Sequence, residues 1–394
     1  MSIYPENSAL LPTGLHDVLP PHAAHESAVI GAIMNVFTSY GFEQVKPPLV
    51  EFEATLAGNG PNGGGSLSGQ IFRLMDPVSQ CMMGVRADIT LQVARIAGTR
   101  LSDMARPLRL SYAGQVLRVR GNQLRPERQF AQAGVELIGA DEVAADVEVI
   151  VLAAETLKTA GIAEPTIDIN SPALVAHVLA ELDLSSGAVV DLRESLDRKD
   201  IGETEHILRR EGAIFTGGAK ALCAMIASVG PAEEVVGELQ AIKLPAAARD
   251  EVARLAAVIK DVREALPELS LTLDPVEYRG FEYQTGVSFT LFAEGVRGEL
   301  GRGGRYVTEA GEPATGVSLY LDTIMRAVPE AKRVPRVYLP GDTPHAAGRA
   351  LRNEGWITVN GFEDVADVVS EARRLACTHY LADGQPVALP VEAG

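Results

Sequence analysis

GQVLRVRGNQLRPERQFAQAGVE, residues 114–136, places a polar, arginine-rich centre between two β-patterned flanks. With its neighbours it extends to PLRLSYAGQVLR (107–118) and RQFAQAGVELIG (128–139), which read as the two strands of a hairpin with a long polar tip. Within the second run, Gln132 and Glu136 stand four residues apart, so a strand points both to one face, together with Arg128 and Phe130. A glutamine, a carboxylate and an arginine on one face make a polar floor for a small zwitterion; the plainer reading is a solvated sheet face. The stretch carries four arginines, Arg118, Arg120, Arg125 and Arg128. Such guanidinium groups commonly grip phosphate or carboxylate. An ATP site, an RNA-binding loop and a former site put to another use all remain open.

Outward from the hairpin, the order of elements sets the fold class. Residues 22–40 space Ile30, Ile33, Met34 and Phe37 along one helical face, and Gly41 suits a left-handed stop. FEQVKPPLVEFE is a strand interrupted by Pro47 and Pro48, which donate no ladder hydrogen bond and place it at an edge or end it. IFRLMD and CMMGVRADIT read as strands, and ITLQVARIAG as a short helix with Asp88 as N-cap. Residues 141–161 form a helix closed by Gly161, and PTIDIN a strand. Residues 172–264 are mostly helical and read as an insertion; SLTLDP, FEYQTGVSFTLFAE and ATGVSLYLDTIMR return to strands and a last helix. Strands, helical insertion, strands: the order predicts α+β with an antiparallel sheet rather than alternating βαβ units. The expected domains are 1–326 and a small α/β unit over 327–394.

Bulk properties narrow the functions. The chain has 394 residues, 46% hydrophobic, with a formal net charge of −17. Nucleic-acid binding draws on phosphate neutralisation, so an acidic chain argues against it. Cys81, Cys223 and Cys377 form no CxxC pair, which fits a reducing, cytoplasmic compartment. The N-terminus shows no signal-peptide pattern, and no apolar run is long enough for a membrane span.

Further candidates lie outside the hairpin. In RADIT (86–90), Asp88 either pairs with Arg86 or joins Thr90 in accepting hydrogen bonds from an ammonium group. EYRGFEYQTGVSF (277–289) is an aromatic and polar strand in which packing leaves Arg279 and Gln284 unexplained. GRGGRY (301–306) is either a close backbone approach to a ligand or a tight turn. The glycine-rich loop 58–69 lacks the GK[ST] ending of a P-loop and reads as a connection or a ligand-ordered loop. Scattered histidines give no metal-ligand set, and no GxSxG, HExxH or GxGxxG pattern occurs.

In this order the pieces, over roughly residues 10–326, resemble the catalytic domain of histidyl-tRNA synthetase, a class II aminoacyl-tRNA synthetase. LPTGLHDVLP is similar to that family's opening segment, and KPPLVEFE to motif 1, which builds its dimer interface. VLRVRGNQLRPERQFAQAGVE is similar to motif 2, YRGFEYQTGVSF to the histidine-recognition segment, and GRGGRY to the Gly-Gly-Arg-Tyr segment. The resemblance implies histidine contacts from Asp88, Thr90, Arg118, Gln132, Glu136, Arg279, Tyr283 and Gln284, where Gln284 replaces the usual tyrosine. The nucleotide end departs: Arg120 stands for the motif 2 glutamate, Tyr320 for a glycine, Asp322 for a glutamate and Thr323 for the motif 3 arginine. Losing one charge-assisted phosphate contact costs about 1.5–3 kcal/mol.

A retained amino-acid end beside a degraded nucleotide end resembles the regulatory-subunit family of ATP phosphoribosyltransferase. That likeness implies a non-catalytic chain without cofactor or metal, binding L-histidine. It implies partnership with the short-form catalytic subunit (HisG), self-association as a dimer within a hetero-octamer, no nucleic acid and no membrane. A divergent histidyl-tRNA synthetase, or a synthetase-like histidine-activating enzyme, is the alternative.

Overall fold

The computed structural model describes residues 11–57, 68–277, 284–330 and 334–390. The chain divides into two compact units, Met1–Pro329 and Glu330–Gly394.

In the first unit the chain runs α1 (His22–Ser39), β1 (Glu43–Gln44), β2 (Val50–Phe52), α2 (Glu53–Ala57), β3 (Phe72–Met75), β4 (Met82–Val85), α3 (Thr90–Thr99), β5 (Leu108–Leu117), β6 (Gln129–Ile138), α4 (Val143–Thr159) and β7 (Pro165–Asn170). Helices α5 (Pro172–Ala180), α6 (Ser186–Asp197), α7 (Ile201–Arg210) and α8 (Gly217–Ala227) lead to β8 (Gly230–Pro231), α9 (Ala232–Ala241) and α10 (Ala246–Ala265). The unit closes with β9 (Ser270–Leu273), β10 (Gln284–Ala293), β11 (Gly301–Val307), β12 (Pro313–Tyr320) and α11 (Leu321–Ala327).

The hairpin β5–β6 sits inside a nine-stranded sheet ordered β1-β5-β6-β12-β11-β10-β7-β9-β8. Most neighbours are antiparallel; β1–β5 and β7–β9 are parallel. Strand alternation sorts β6 between two environments. Ala131, Ala133, Val135 and Leu137 enter the main core with Ile33 and Phe37 of α1 and Val149 and Leu157 of α4. Phe130, Gln132 and Glu136 face the opposite side.

The helical stretch between β7 and β9 shares that main core: Leu174, Leu222, Leu239, Leu255 and Ile259 join the cluster that holds Val135 and Val317. Gly41 takes φ +80° directly after α1, the backbone state that glycine enters without a Cβ penalty. The Pro47–Pro48 break sends the chain into two sheets. β1 edges the large one, and β2 joins a three-stranded sheet ordered β2-β4-β3. That small sheet leaves Phe52, Leu74, Met75 and Met82 exposed.

Two sequence expectations change. GRGGRY is no turn but the sheet-interior strand β11, where a Cβ on Gly303 would run into the Phe289 ring. Helix α3 begins at Thr90 with Ile89 in the cap position and no side-chain cap; Asp88 Oδ1 still accepts the Thr90 N–H at 2.8 Å.

In the second unit, β13 (Arg336–Leu339), α12 (His345–Asn353), β14 (Ile357–Asn360), α13 (Val368–Arg374), β15 (His379–Ala382) and β16 (Gln385–Ala388) build a sheet ordered β14-β13-β15-β16. Val337, Leu339 and Leu351 form one buried cluster there, and Tyr338, Ala372 and Cys377 another. Among the described residues, no helix is long and apolar enough to cross a membrane.

Candidate functional site

The register of three strands assembles the site. Gln132 and Glu136 of β6 face Gly114 and Leu110 of β5 on one side, and Tyr320 and Gly316 of β12 on the other. The segment entering α3 adds Asp88 and Thr90. Gln132 is 1% exposed and satisfies its whole amide. Its Nε2 donates to Asp88 Oδ2 (3.0 Å) and to Ser318 Oγ (2.8 Å), and its Oε1 accepts the Ile89 N–H (3.2 Å). Tyr112 OH lies 2.9 Å from Ser318 Oγ and 3.1 Å from Thr90 Oγ1. It also donates to Glu136 Oε1 at 3.3 Å, while Tyr306 OH donates to Glu136 Oε2 at 2.8 Å. One hydrogen-bonded chain thus joins two carboxylates: Asp88, Gln132, Ser318, Tyr112, Glu136.

Glycines make room for it. A Cβ on Gly316 would collide with the Glu136 carboxylate, and one on Gly134 with the Tyr112 hydroxyl. Burial pushes the Glu136 carboxyl up to about 8; Asp88 adds to the rise, and the donors Tyr306, Thr90 and Tyr112 oppose it. Burial likewise holds the Tyr112 phenol well above its ordinary range, with Glu136 and Asp88 reinforcing it.

Above this floor opens a cleft lined by Thr90, Glu136, Gln284, Arg302, Tyr306 and Ser318 among others. Gln284, at the start of β10, donates its Nε2 to Gly303 O at 3.0 Å. Thr90, Glu136 and Gln284 therefore share the cleft, and Asp88 and Gln132 brace it from beneath. Arg279 and Tyr283 lie outside the described residues.

Arg118 is half-buried next to this network. Its Nε reaches Ala87 O at 3.4 Å, and its guanidinium lies 5.0 Å from the Phe130 ring centre and 5.7 Å from that of Tyr320. Those two rings meet edge to face at 6.0 Å. A second arginine fills the space against them: Arg125, 2% exposed, stands 3.9 Å from the Tyr320 ring and 4.4 Å from Phe130. Its fork binds Asp322 with two hydrogen bonds, at 2.8 and 3.1 Å, and Glu299 lies 3.5 Å away. Cation–π contact and bidentate pairing together fix the hairpin tip to α11.

Other arginines serve structure. Arg128 leaves the floor: it donates to Thr13 O and Arg118 O and stacks on Phe72, because β6 begins only at Gln129. Arg86 donates to the carbonyls of Gln115 and Pro47 rather than to Asp88. Arg305 is buried against Asp146. Sequence reasoning missed the roles of Tyr112, Tyr306 and Ser318, and singled out Arg125 only as one of four arginines suited to phosphate or carboxylate. No local spacing marks Tyr112, since its pairing with Gly134 needs the register.

Residues 14–324 match a family model described as histidyl-tRNA synthetase. An ATP phosphoribosyltransferase regulatory subunit from Rhodospirillum centenum is 53% identical over 96% of this chain and 95% of its own. A solved ATP phosphoribosyltransferase regulatory subunit/histidyl-tRNA synthetase from Bacillus halodurans C superposes with TM-score 0.80 at 24% identity, covering 95% of this chain and 97% of that one. A chain of the ATP phosphoribosyl transferase (HisG:HisZ) complex from Thermotoga maritima gives TM-score 0.58 at 18% identity, covering 75% of this chain and 97% of that one. These two likenesses are likenesses of fold.

Proposed function

The chain belongs to the ATP phosphoribosyltransferase regulatory subunits, and from that premise we propose that its buried carboxylate cleft is a histidine sensor through which the enzyme is feedback-inhibited. The chain is a non-catalytic, regulatory subunit of ATP phosphoribosyltransferase, and the proposal gives it a HisG-type catalytic subunit as partner. Histidine as the ligand, a dimer of this chain inside a hetero-octamer, and a cytoplasmic location are parts of the proposal.

One observation carries it. The network Asp88–Gln132–Ser318–Tyr112–Glu136 opens onto a cleft that Gln284 also lines. Acceptors at Asp88 and Thr90 suit an ammonium group, and Arg118 beside them suits a carboxylate. The neighbouring space is taken by Arg125 and Tyr320, and Arg125 is already neutralised by Asp322. Arg125 is therefore not free to hold a phosphate chain, which accords with a subunit that binds an amino acid without activating it.

The test is phosphoribosyl transfer from ATP-dependent assays of the two subunits, separately and mixed, with and without histidine. The proposal expects activity only in the mixture and inhibition by histidine. Inhibition unchanged by Glu136→Ala in the mixture would overturn the cleft assignment.

A further inference from the structure

Of the two arginines in GRGGRY, Arg305 is buried against Asp146, whereas Arg302 lines the cleft. Strand register fixes where on the wall it stands. Arg302 of β11 lies level with Ser318 of β12 and Thr290 of β10. One step along the strands is the row of Gly304, Gly316 and Glu136; one step the other way is Tyr320, level with Gln132. Two strand residues span about 6.5 Å, so Arg302 stands midway between the Glu136 floor and the corner filled by Tyr320. Thr90, one of the ammonium acceptors, is in the same row: its Oγ1 lies 3.4 Å from Ser318 Oγ. An α-amino acid carries its ammonium and carboxylate on one carbon. An ammonium group held at Thr90 and Asp88 therefore brings the carboxylate to the level of Arg302.

The charges around Arg302 support the same placement. Its Nε lies 3.8 Å from Glu299 Oε1, and Arg125 Nη1 lies 3.5 Å from that same oxygen. Neither approach has the length of a good hydrogen bond, so one carboxylate is divided between two guanidinium groups. Arg125 is already held by both oxygens of Asp322. Arg118 turns its Nε to Ala87 O and its face to Phe130. We propose, resting on the histidine reading above, that Arg302 holds the carboxylate of the ligand in competition with Glu299, and so makes the sensor select a free α-carboxylate. A planar guanidinium matches a carboxylate with two parallel N–H donors.

Two consequences make the idea measurable. First, the contribution of Arg302 depends on the ligand having a carboxylate. L-histidinol carries a hydroxymethyl group in its place and keeps the ammonium and the imidazole, so removing Arg302 costs histidine its charge-assisted contact and leaves histidinol nearly untouched. Second, Glu299 opposes the ligand. Glu299→Gln withdraws the competing charge, so histidine gains affinity and histidinol does not.

The experiment is calorimetric titration of the full-length protein with L-histidine and with L-histidinol, the weaker ligand being read by its competition with the stronger. The parent is expected to prefer histidine by about tenfold or more. Arg302→Ala should lose about tenfold or more toward histidine and less than about threefold toward histidinol, so that the preference collapses. Arg302→Lys keeps the charge without the fork and should fall between the two. Glu299→Gln should bind histidine several-fold more tightly with histidinol unchanged. A preference that survives Arg302→Ala, in a protein that melts like the parent, places the carboxylate elsewhere and overturns the proposal. An equal loss of both ligands makes Arg302 a structural residue and also overturns it. Unchanged histidine affinity in Glu299→Gln overturns the competition. Should Arg302→Ala not fold, the same ratio measured in Arg302→Lys decides. If the parent binds neither ligand, the histidine reading itself fails; if it binds both equally, only the carboxylate anchor fails.

Discussion

A single buried carboxyl sets two properties of this protein. Glu136→Ala removes a group that lines the cleft, and Asp88→Ala removes the acceptor that orients Gln132. Each is expected to weaken histidine binding by tenfold or more, in line with about 1–3 kcal/mol for an unpaired buried polar partner. Neither should unfold the chain, so calorimetry and a melting curve on one sample decide the point. Glu136 also ties stability to pH. Its folded-state titration is raised from 4.5 to about 8, so its contribution is fully present below about pH 4.5, declines as pH rises, and is gone above about pH 8. Denaturant melts of Glu136→Gln should show a shallower decline over that window, by a few kcal/mol at most. At this scale the sequence was half legible. Period-two spacing put Gln132 and Glu136 on one face. Tyr112, Tyr306 and Ser318 escaped notice because their neighbours come from three different strands, and no spacing along the chain encodes that register.

At the scale of elements, the hairpin tip and α11 behave as one piece. Arg125 and Asp322 are both almost fully buried, at 2% and 4% side-chain exposure. Breaking a buried pair from one side costs about 3–5 kcal/mol, because the other charge is left uncompensated. Arg125→Ala should therefore lower the denaturant midpoint sharply with an unchanged slope. The β12 strand carries a comparable constraint. In Gly316→Ala the new methyl must displace both the Glu136 carboxylate and the Val135 carbonyl of β6, so histidine binding and the melting temperature should fall together. Strands and helices of the hairpin, α1 and α4 were readable from their alternation and their apolar faces. GRGGRY was not, because three glycines imitate a turn when their purpose is to admit Phe289 and neighbouring carbonyls inside a sheet.

For the whole molecule, the α+β class with an antiparallel sheet was legible from the order of strands, helical stretch and strands, and the class II synthetase-like architecture from the resemblance of its motifs. That the helices between β7 and β9 share one core with the sheet was not, since helical periodicity shows a buried face and not what covers it. Assembly is open to test through the small sheet β2-β4-β3. Its exposed Phe52 and Leu74 share one face, both in register with Met83, and the exposed Met75 and Met82 share the other. If the proposed self-association uses the face of Phe52 and Leu74, Phe52→Glu with Leu74→Glu should convert dimers to monomers in sedimentation at micromolar concentration, with the melting temperature of the monomer otherwise preserved.

The cluster of Arg125, Asp322, Glu299, Tyr320 and Phe130 has a consequence for descent. Its members neutralise and cover one another, so each is a condition for keeping the rest. Replacing any one alone strands a charge or opens a void, and no series of single, individually tolerable replacements empties the space. Vacating this corner one residue at a time therefore passes through variants with a buried unpaired charge, at a cost of about 3–5 kcal/mol.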